Sequence, residues 1–226
     1  MSQQFIHIPG LLKPQEISEI ENLSAKADFI DGKLTASLAA KAVKNNLQLD
    51  QTNQEIAVQI QTIIRKALGD SPIFQVATMP QHIYPPIISK YSEKKYYGWH
   101  VDSPIMGNPQ IRTDLAITIF LSDPASYEGG ELMLQTNSGI VNFKPPKGDA
   151  IVYPCQFLHC VNEVKSGERM AAVTWVQSQV KSPEQREILF NLNQIHAVLY
   201  QRDPHAPETN LLLQCYSNLV RMWSEL

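Results

Sequence analysis

Trp99-His100-Val101-Asp102 is the stretch on which the fold and the chemistry of this chain turn. Aromatic and β-branched residues over 97–101 predict a strand. On an extended strand, residues i and i+2 point to the same side. The His100 imidazole and the Asp102 carboxylate are therefore expected to project together, and a distant histidine would complete three metal-ligating groups. The pair alone carries little weight, because an H-x-D arises by chance in about one chain of this composition in four.

Working outward, residues 71–178 alternate short β-rich runs with Pro, Gly, Asn and Asp turns. The runs predict strands over 74–77, 83–91, 97–101, 115–121, 131–135, 140–143, 149–153, 159–161 and 170–177. Strands at this spacing imply a jelly roll or a β-helix-like double sheet. Before them lie a short strand within 5–12, a helix opened by Pro14, a loop over 33–50 and a helix begun by a Thr52-x-x-Glu55 capping box. Ile56, Ile60, Ile63, Ile64 and Ala67 give that helix its core stripe, and Gly69 is expected to end it. After them, Ser182-Pro183 starts a helix that Gln201–Pro207 interrupts, and a last helix carries Leu212, Tyr216, Leu219 and Trp223. These two helices would pack as a hairpin on the barrel or against another subunit. The fold class is α+β, mainly β.

At 226 residues the chain suits one large domain, or a main domain with a small appendage. The net charge of -3, with no Lys/Arg cluster, argues against nucleic-acid binding. No segment reads as a secretion signal or a membrane span. Cys155, Cys160 and Cys215 are odd in number and form no CxxC pair, as expected of free thiols in a reducing compartment such as the cytoplasm.

Three features surround the H-x-D pair. His159 follows the strand Asp149-Ala150-Ile151-Val152-Tyr153-Pro154 and could face His100 across the barrel mouth. Arg169 lies ten residues further on, and a guanidinium fork matches both oxygens of a carboxylate. Tyr97 and Trp99 would wall a water-poor pocket. Two imidazoles and one carboxylate suit Fe(II) better than zinc. A zinc hydrolase with Glu128 or Glu131 as base, and a metal-binding module without turnover, remain alternatives at this level. His7, His82, His196 and His205 belong to no such constellation and read as surface or structural.

Several motifs then converge on a known family. They are Tyr91, Tyr97-x-x-His100-x-Asp102, Glu128-Gly129-Gly130-Glu131-Leu132, His159, Gly167-Glu168-Arg169 and Trp175. Together they resemble the Fe(II)/2-oxoglutarate-dependent dioxygenases of the prolyl-4-hydroxylase type. The texture of Val43-Lys44-Asn45-Asn46, Arg112-Thr113-Asp114-Leu115, Phe120-Leu121-Ser122-Asp123-Pro124 and the tail Trp223-Ser224-Glu225 is closer still to the bacterial PKHD-type hydroxylases. The resemblance implies a double-stranded β-helix with N-terminal supporting helices and a C-terminal helical hairpin. Residues 1–180 would form the dioxygenase domain, with its core at about 71–180, and 181–226 the helical extension. It implies Fe(II) on His100, Asp102 and His159, and 2-oxoglutarate with its distal carboxylate on Arg169, supported by Tyr91. The implied reaction hydroxylates a small-molecule or peptide substrate with O2 and converts 2-oxoglutarate to succinate and CO2. L-ascorbate would keep the iron reduced, and a homodimer could form through the C-terminal helices. Arg112 and Lys44-Asn45-Asn46 would contact substrate or pair structurally. One departure bears on a loop: where the family often has glycine three residues after the tyrosine, this chain has Lys94.

Overall fold

The computed structural model describes residues 5–35, 38–52 and 54–225. The chain begins with β1 (Ile6–Ile8), α1 (Pro14–Ser24), β2 (Phe29–Asp31), a 3-10 turn at Gly32–Thr35, α2 (Leu38–Lys41), β3 (Lys44–Asn45), β4 (Leu47–Leu49), α3 (Gln54–Asp70) and α4 (Pro72–Thr78). It continues through β5 (Pro80–Ile83), β6 (Ile87–Tyr91), β7 (Tyr96–His100), β8 (Ile105–Met106), β9 (Ile111–Arg112) and β10 (Leu115–Phe120). Then follow β11 (Tyr127–Gly129), β12 (Leu132–Thr136), β13 (Gly139–Phe143), β14 (Ala150–Pro154), β15 (His159–Val161), β16 (Val164–Gly167) and β17 (Arg169–Ser178). Two helices close the chain, α5 (Pro183–Arg202) and α6 (Pro207–Trp223), packed on each other, with α5 also against α4.

A major sheet runs in the order β1-β14-β10-β17-β6-β4-β2, with β5 also on β17. A minor sheet runs β13-β12-β15-β7-β3. Successive strands swap between the two, β6 to β7, β10 to β12, β14 to β15, then β17. This is the double-stranded β-helix. β10 is buried at every position because both faces of the major sheet are covered. Its outward Ile117 and Ile119, with Ala172 and Val152 of neighbouring strands, pack under Ile20 of α1, Ile60 and Ile64 of α3 and Phe74 of α4. Its inward Ala116 and Phe120 join Leu132, Leu134, Ile151 and Tyr153 between the sheets. Each fully buried side chain of this size contributes roughly 1.5–3 kcal/mol.

Several expectations from the sequence need correction. Residues 74–77 are helical, not a strand. The Ser71 hydroxyl accepts from the Phe74 amide at 3.3 Å and Pro72 opens the helix, the same start signal found at Ser182-Pro183. A short apolar run does not by itself separate strand from helix. The run over 83–91 is two strands, β5 and β6, parted at Pro85-Pro86, where proline has no N–H to give a ladder. Both still pair with β17. The segment 33–50 is not a loop. It carries β3, paired with β7, and β4, paired with β6 and β2. The Thr52 cap spans Asn53, which lies outside the described residues, and α3 runs through Gly69 to Asp70.

Candidate metal and cosubstrate site

The strand carrying the first candidate ligand stops at His100, so Asp102 sits just beyond it rather than on it. The two side chains nonetheless converge. His100 Nε2 lies 3.9 Å from Asp102 Oδ1, and His159 Nε2 lies 3.7 Å from the same oxygen. Ligand atoms of all three residues fall within 4.8 Å of one another, the one such group among the described residues. His159 does not face His100 across the barrel mouth. It is its register partner on the adjacent strand, with ring centroids 4.2 Å apart. Between that pair and Val161–Tyr97, two steps on β15 oppose three on β7. This bulge turns Tyr97 and His100 to the same side, and their rings stack at 3.6 Å. The Tyr97-x-x-His100 spacing is the sequence trace of that bulge.

Both imidazoles are oriented so that they could serve as metal ligands. His100 Nδ1 lies 2.8 Å from the Gly98 carbonyl oxygen, and His159 Nδ1 lies 3.0 Å from that of Phe157. A carbonyl only accepts, so Nδ1 carries the hydrogen and Nε2 turns its lone pair to the centre. Burial, and next the neighbouring His159, push the His100 pKa down to about 3. His100 is therefore neutral at physiological pH. Asp102 Oδ2 is buried with no hydrogen-bond partner. A buried carboxylate oxygen left bare beside two inward nitrogen lone pairs fits a cation held between them. The donor set, two imidazoles and a carboxylate, fits Fe(II).

Arg169 is 1% exposed, although it follows a surface turn. It opens β17 as the register partner of Tyr91 on β6. Its guanidinium lies over two rings, 5.1 Å from the Tyr91 centroid and 5.4 Å from that of Phe120. Its Nε and Nη2 are buried without partners. Those two atoms form one edge of the fork, the edge that takes a carboxylate in bidentate fashion. The Glu128-Gly129-Gly130 motif makes room for it. Gly130 has φ +66, and a Cβ there would meet Arg169 Cδ at 3.0 Å. Lys94, in the family's glycine position, keeps the left-handed backbone with φ 63. Its amide donates to the Val164 carbonyl at 2.8 Å, which holds the loop to the site's edge.

A cavity of about 530 Å³ joins these groups, the size range of small-molecule sites. His100, Asp102, His159, Arg169, Tyr91 and Tyr97 all line it. Trp99 does not; it is 38% exposed on the other side of β7 and walls nothing. Glu128 and Glu131 are also off the wall. Glu128 pairs with Lys165 at 3.5 Å, and Glu131 accepts from Asn162 at 3.0 Å, so neither is placed as a hydrolase base. Arg112 is a structural clasp, donating to Asp114 at 2.7 Å, Glu225 at 3.3 Å and the Ser178 carbonyl at 3.1 Å. His7 bonds Asp149 at 2.7 Å and pins β1 to the barrel. Sequence reasoning missed Tyr153, whose ring meets His159 edge-on at 5.2 Å, and Gln48, which joins Lys44 and Asn46 of the Lys44-Asn45-Asn46 motif on the cavity wall. The alternation of polar residues at 44, 46 and 48 was the available signal for the second.

Comparison with known proteins agrees with this geometry. Residues 86–177 match the model of the 2OG-Fe(II) oxygenase superfamily, and residues 184–225 that of the PKHD-type hydroxylase C-terminal domain. A PKHD-type hydroxylase of Crocosphaera subtropica is 37% identical, with 96% of this chain and 98% of that protein aligned. PKHD-type hydroxylase YbiX of Escherichia coli is also 37% identical, over 97% and 99% of the two chains. Among solved structures, a Trichoplax adhaerens prolyl hydroxylase in complex with a hypoxia inducible factor oxygen degradation domain peptide fragment superposes with a TM-score of 0.57 at 15% identity. That match covers 83% of this chain and 87% of the other. A 2OG-Fe(II) oxygenase family oxidoreductase of Burkholderia pseudomallei gives 0.54 at 18% identity, over 76% and 83%. These two likenesses bear on the fold. With its site assembled and its full-length relatives in view, the chain belongs to the PKHD-type hydroxylases, enzymes of the 2OG-Fe(II) oxygenase superfamily.

Proposed function

We propose that His100, Asp102 and His159 bind one Fe(II), and that Arg169, with Tyr91 beside it, binds the distal carboxylate of 2-oxoglutarate. The enzyme then hydroxylates a small-molecule or peptide substrate with O2, releasing succinate and CO2. One observation carries this reading. A bare buried carboxylate oxygen on Asp102 and a bare buried guanidinium edge on Arg169 line the same cavity. One asks for a cation and the other for an anion.

When bound, the iron and 2-oxoglutarate supply the oxidising chemistry, and the protein supplies placement and exclusion of water. Asp102 and the two Nε2 atoms hold the metal, while the Gly98 and Phe157 carbonyls fix the imidazole orientations. The charges balance: two positive on iron and one on Arg169, against one negative on Asp102 and two on 2-oxoglutarate. Tyr91, Tyr97 and Tyr153 stay protonated, because burial raises all three phenol pKa values. They present hydroxyls rather than competing anions.

The break between the two family matches, after 177 and before 184, supports a boundary near residue 180. Free Cys155 and Cys160, both buried, are compatible with a reducing cytoplasm, and no helix is long and apolar enough to cross a membrane. Ascorbate as iron reductant follows from the family resemblance. Exposed Ile195, Val198 and Leu211 on α5 and α6 support a homodimer, which sedimentation would detect. The core test is anaerobic. Addition of 2-oxoglutarate to the Fe(II) protein should produce a visible metal-to-ligand absorption band, and air should then yield succinate. A protein that binds Fe(II) but gives neither band nor succinate would refute the assignment.

A further inference from the structure

Among the described residues, three buried side chains lining the cavity hold polar atoms without a hydrogen-bond partner: Asp102, Arg169 and Asn46. The metal and cosubstrate proposed above account for the first two. Asn46 is 1% exposed, and both its amide nitrogen and its amide oxygen are bare. A buried amide is costly unless something answers it.

The place of Asn46 in the sheet indicates what could answer it. β4 runs beside β6 with Leu47 opposite Lys90 and Gln48 opposite Ser89. One step back along that ladder sets Asn46 level with Tyr91, and Tyr91 is in turn opposite Arg169 on β17. Asn46, Tyr91 and Arg169 thus form a row across neighbouring strands, which lie about 4.8 Å apart. All three line the cavity. The Tyr91 hydroxyl lies beside the Asn46 amide, without the geometry of a hydrogen bond. The backbone that carries the amide is held on both sides. The Asn46 carbonyl accepts from the Gly32 amide at 2.9 Å. The Asn45 side chain donates to the Lys94 carbonyl at 3.2 Å and accepts from the Lys95 ammonium at 3.0 Å. Gly32 also makes room, since a Cβ there would overlap Asn46 Oδ1. A bare amide on an anchored backbone is a preorganised hydrogen-bonding group.

Carboxylate chemistry supplies the match. Each carboxylate oxygen offers two lone pairs. A bidentate guanidinium edge takes one from each oxygen and leaves the others to be answered in a buried site. Tyr91 brings one O–H donor to the row, and the Asn46 amide brings two N–H donors. We propose that Asn46 binds the cosubstrate: its Nδ2 donates to the distal carboxylate of 2-oxoglutarate, beside Arg169 and Tyr91, and so helps to select a 2-oxo acid that ends in a carboxylate. The proposal rests on the functional reading above and adds a residue to the same site. Asn46 precedes residues 86–177, which match the superfamily and contain Arg169 and the candidate metal ligands. The added donor therefore comes from outside that segment.

The test compares two 2-oxo acids on the Fe(II) protein without O2. 2-Oxoglutarate ends in a carboxylate, whereas 2-oxopentanoate keeps the chelating head and the chain length but ends in a methyl group. Each is titrated and followed by the metal-to-ligand band. Asn46→Leu, which is nearly isosteric, should raise the 2-oxoglutarate Kd by roughly tenfold or more, the loss expected for one hydrogen bond to a charged group. The 2-oxopentanoate Kd, and the Fe(II) affinity measured without either acid, should change by less than about threefold. Losses shared by both acids, or by iron, would show that Asn46 supports the shape of the site and would overturn the proposal. An unchanged 2-oxoglutarate Kd would overturn it too, leaving the amide to substrate or solvent. Should Asn46→Leu not fold, Gly32→Ala, which displaces the amide without deleting it, carries the same comparison. The Fe(II)–2-oxoglutarate band of the unaltered protein is recorded first. Its absence sinks the functional reading, whereas a normal band with no selective loss in the variant sinks this inference alone.

Discussion

Replacing Arg169 by Met should separate function from stability. In the folded protein without cosubstrate, Arg169 is 1% exposed and its Nε and Nη2 meet no acceptor. The fold thus leaves one edge of a buried guanidinium unanswered. An unbranched apolar side chain of similar length keeps the contacts with Tyr91 and Phe120 and removes that burden. Stability should be unchanged or higher, as when buried ionic groups give way to apolar ones. Cosubstrate binding should fall sharply. A 2-oxoglutarate carboxylate without its buried partner loses on the order of 2–5 kcal/mol, which is roughly 30- to 5,000-fold in Kd. Anaerobic titration of 2-oxoglutarate into the Fe(II) protein, followed by the metal-to-ligand band, reads that constant directly. Fe(II) affinity, measured without 2-oxoglutarate, should change by less than about threefold, because Arg169 is not a ligand. Equal losses of iron and cosubstrate, or a variant that binds 2-oxoglutarate normally, would refute the reasoning.

Gly130→Ala should mimic part of this effect, since its Cβ would sit 3.0 Å from Arg169 Cδ at a φ of +66; the 2-oxoglutarate Kd should rise more than the iron Kd, and an unaltered ratio would contradict the packing argument. Lys94→Gly should stabilise the protein by about 0.5–1 kcal/mol, the strain of the left-handed residue less the added freedom of the unfolded glycine, or about 2 °C in Tm. A lower Tm would show that the Lys94 side chain contributes more than its backbone costs. The metal-free protein should lose stability as pH falls from about 6.5 toward 3. His100 binds its proton more weakly when folded, with a pKa of about 3, so the unfolded chain takes up more protons across that window. Urea midpoints at several pH values, compared with His100→Gln, should show a smaller slope in the variant; identical slopes would place the acid sensitivity elsewhere.

Much of this was legible from residue types at fixed spacing. The pair His100-x-Asp102, a later histidine and an arginine after a Gly-Glu turn pointed to side chains that the fold brings to one cavity, because metal and carboxylate chemistry restrict which side chains serve. The sheet followed from turn residues between β-rich runs. What escaped was set by tertiary contacts. The bulge in β7 that stacks Tyr97 on His100 comes from pairing with β15, and the Tyr97-x-x-His100 spacing reads as a bulge only once that pairing is known. Trp99, next to the inward His100 on the strand, points away from the cavity, against the expectation of an aromatic wall. β3 and β4 are too short and too polar to read as strands, yet they close the cavity's flank because β7 and β6 offer them edges. The helix at 72–78 was readable from Ser71-Pro72, but its apolar run imitates a strand.

The most direct measurement is anomalous scattering at the iron edge from crystals grown anaerobically with Fe(II) and 2-oxoglutarate. A single peak bonded to His100 Nε2, Asp102 and His159 Nε2, with the distal carboxylate of 2-oxoglutarate on the Nε–Nη2 edge of Arg169, is the predicted result. Iron bound elsewhere, or a cosubstrate whose distal carboxylate lies away from Arg169, would contradict the account.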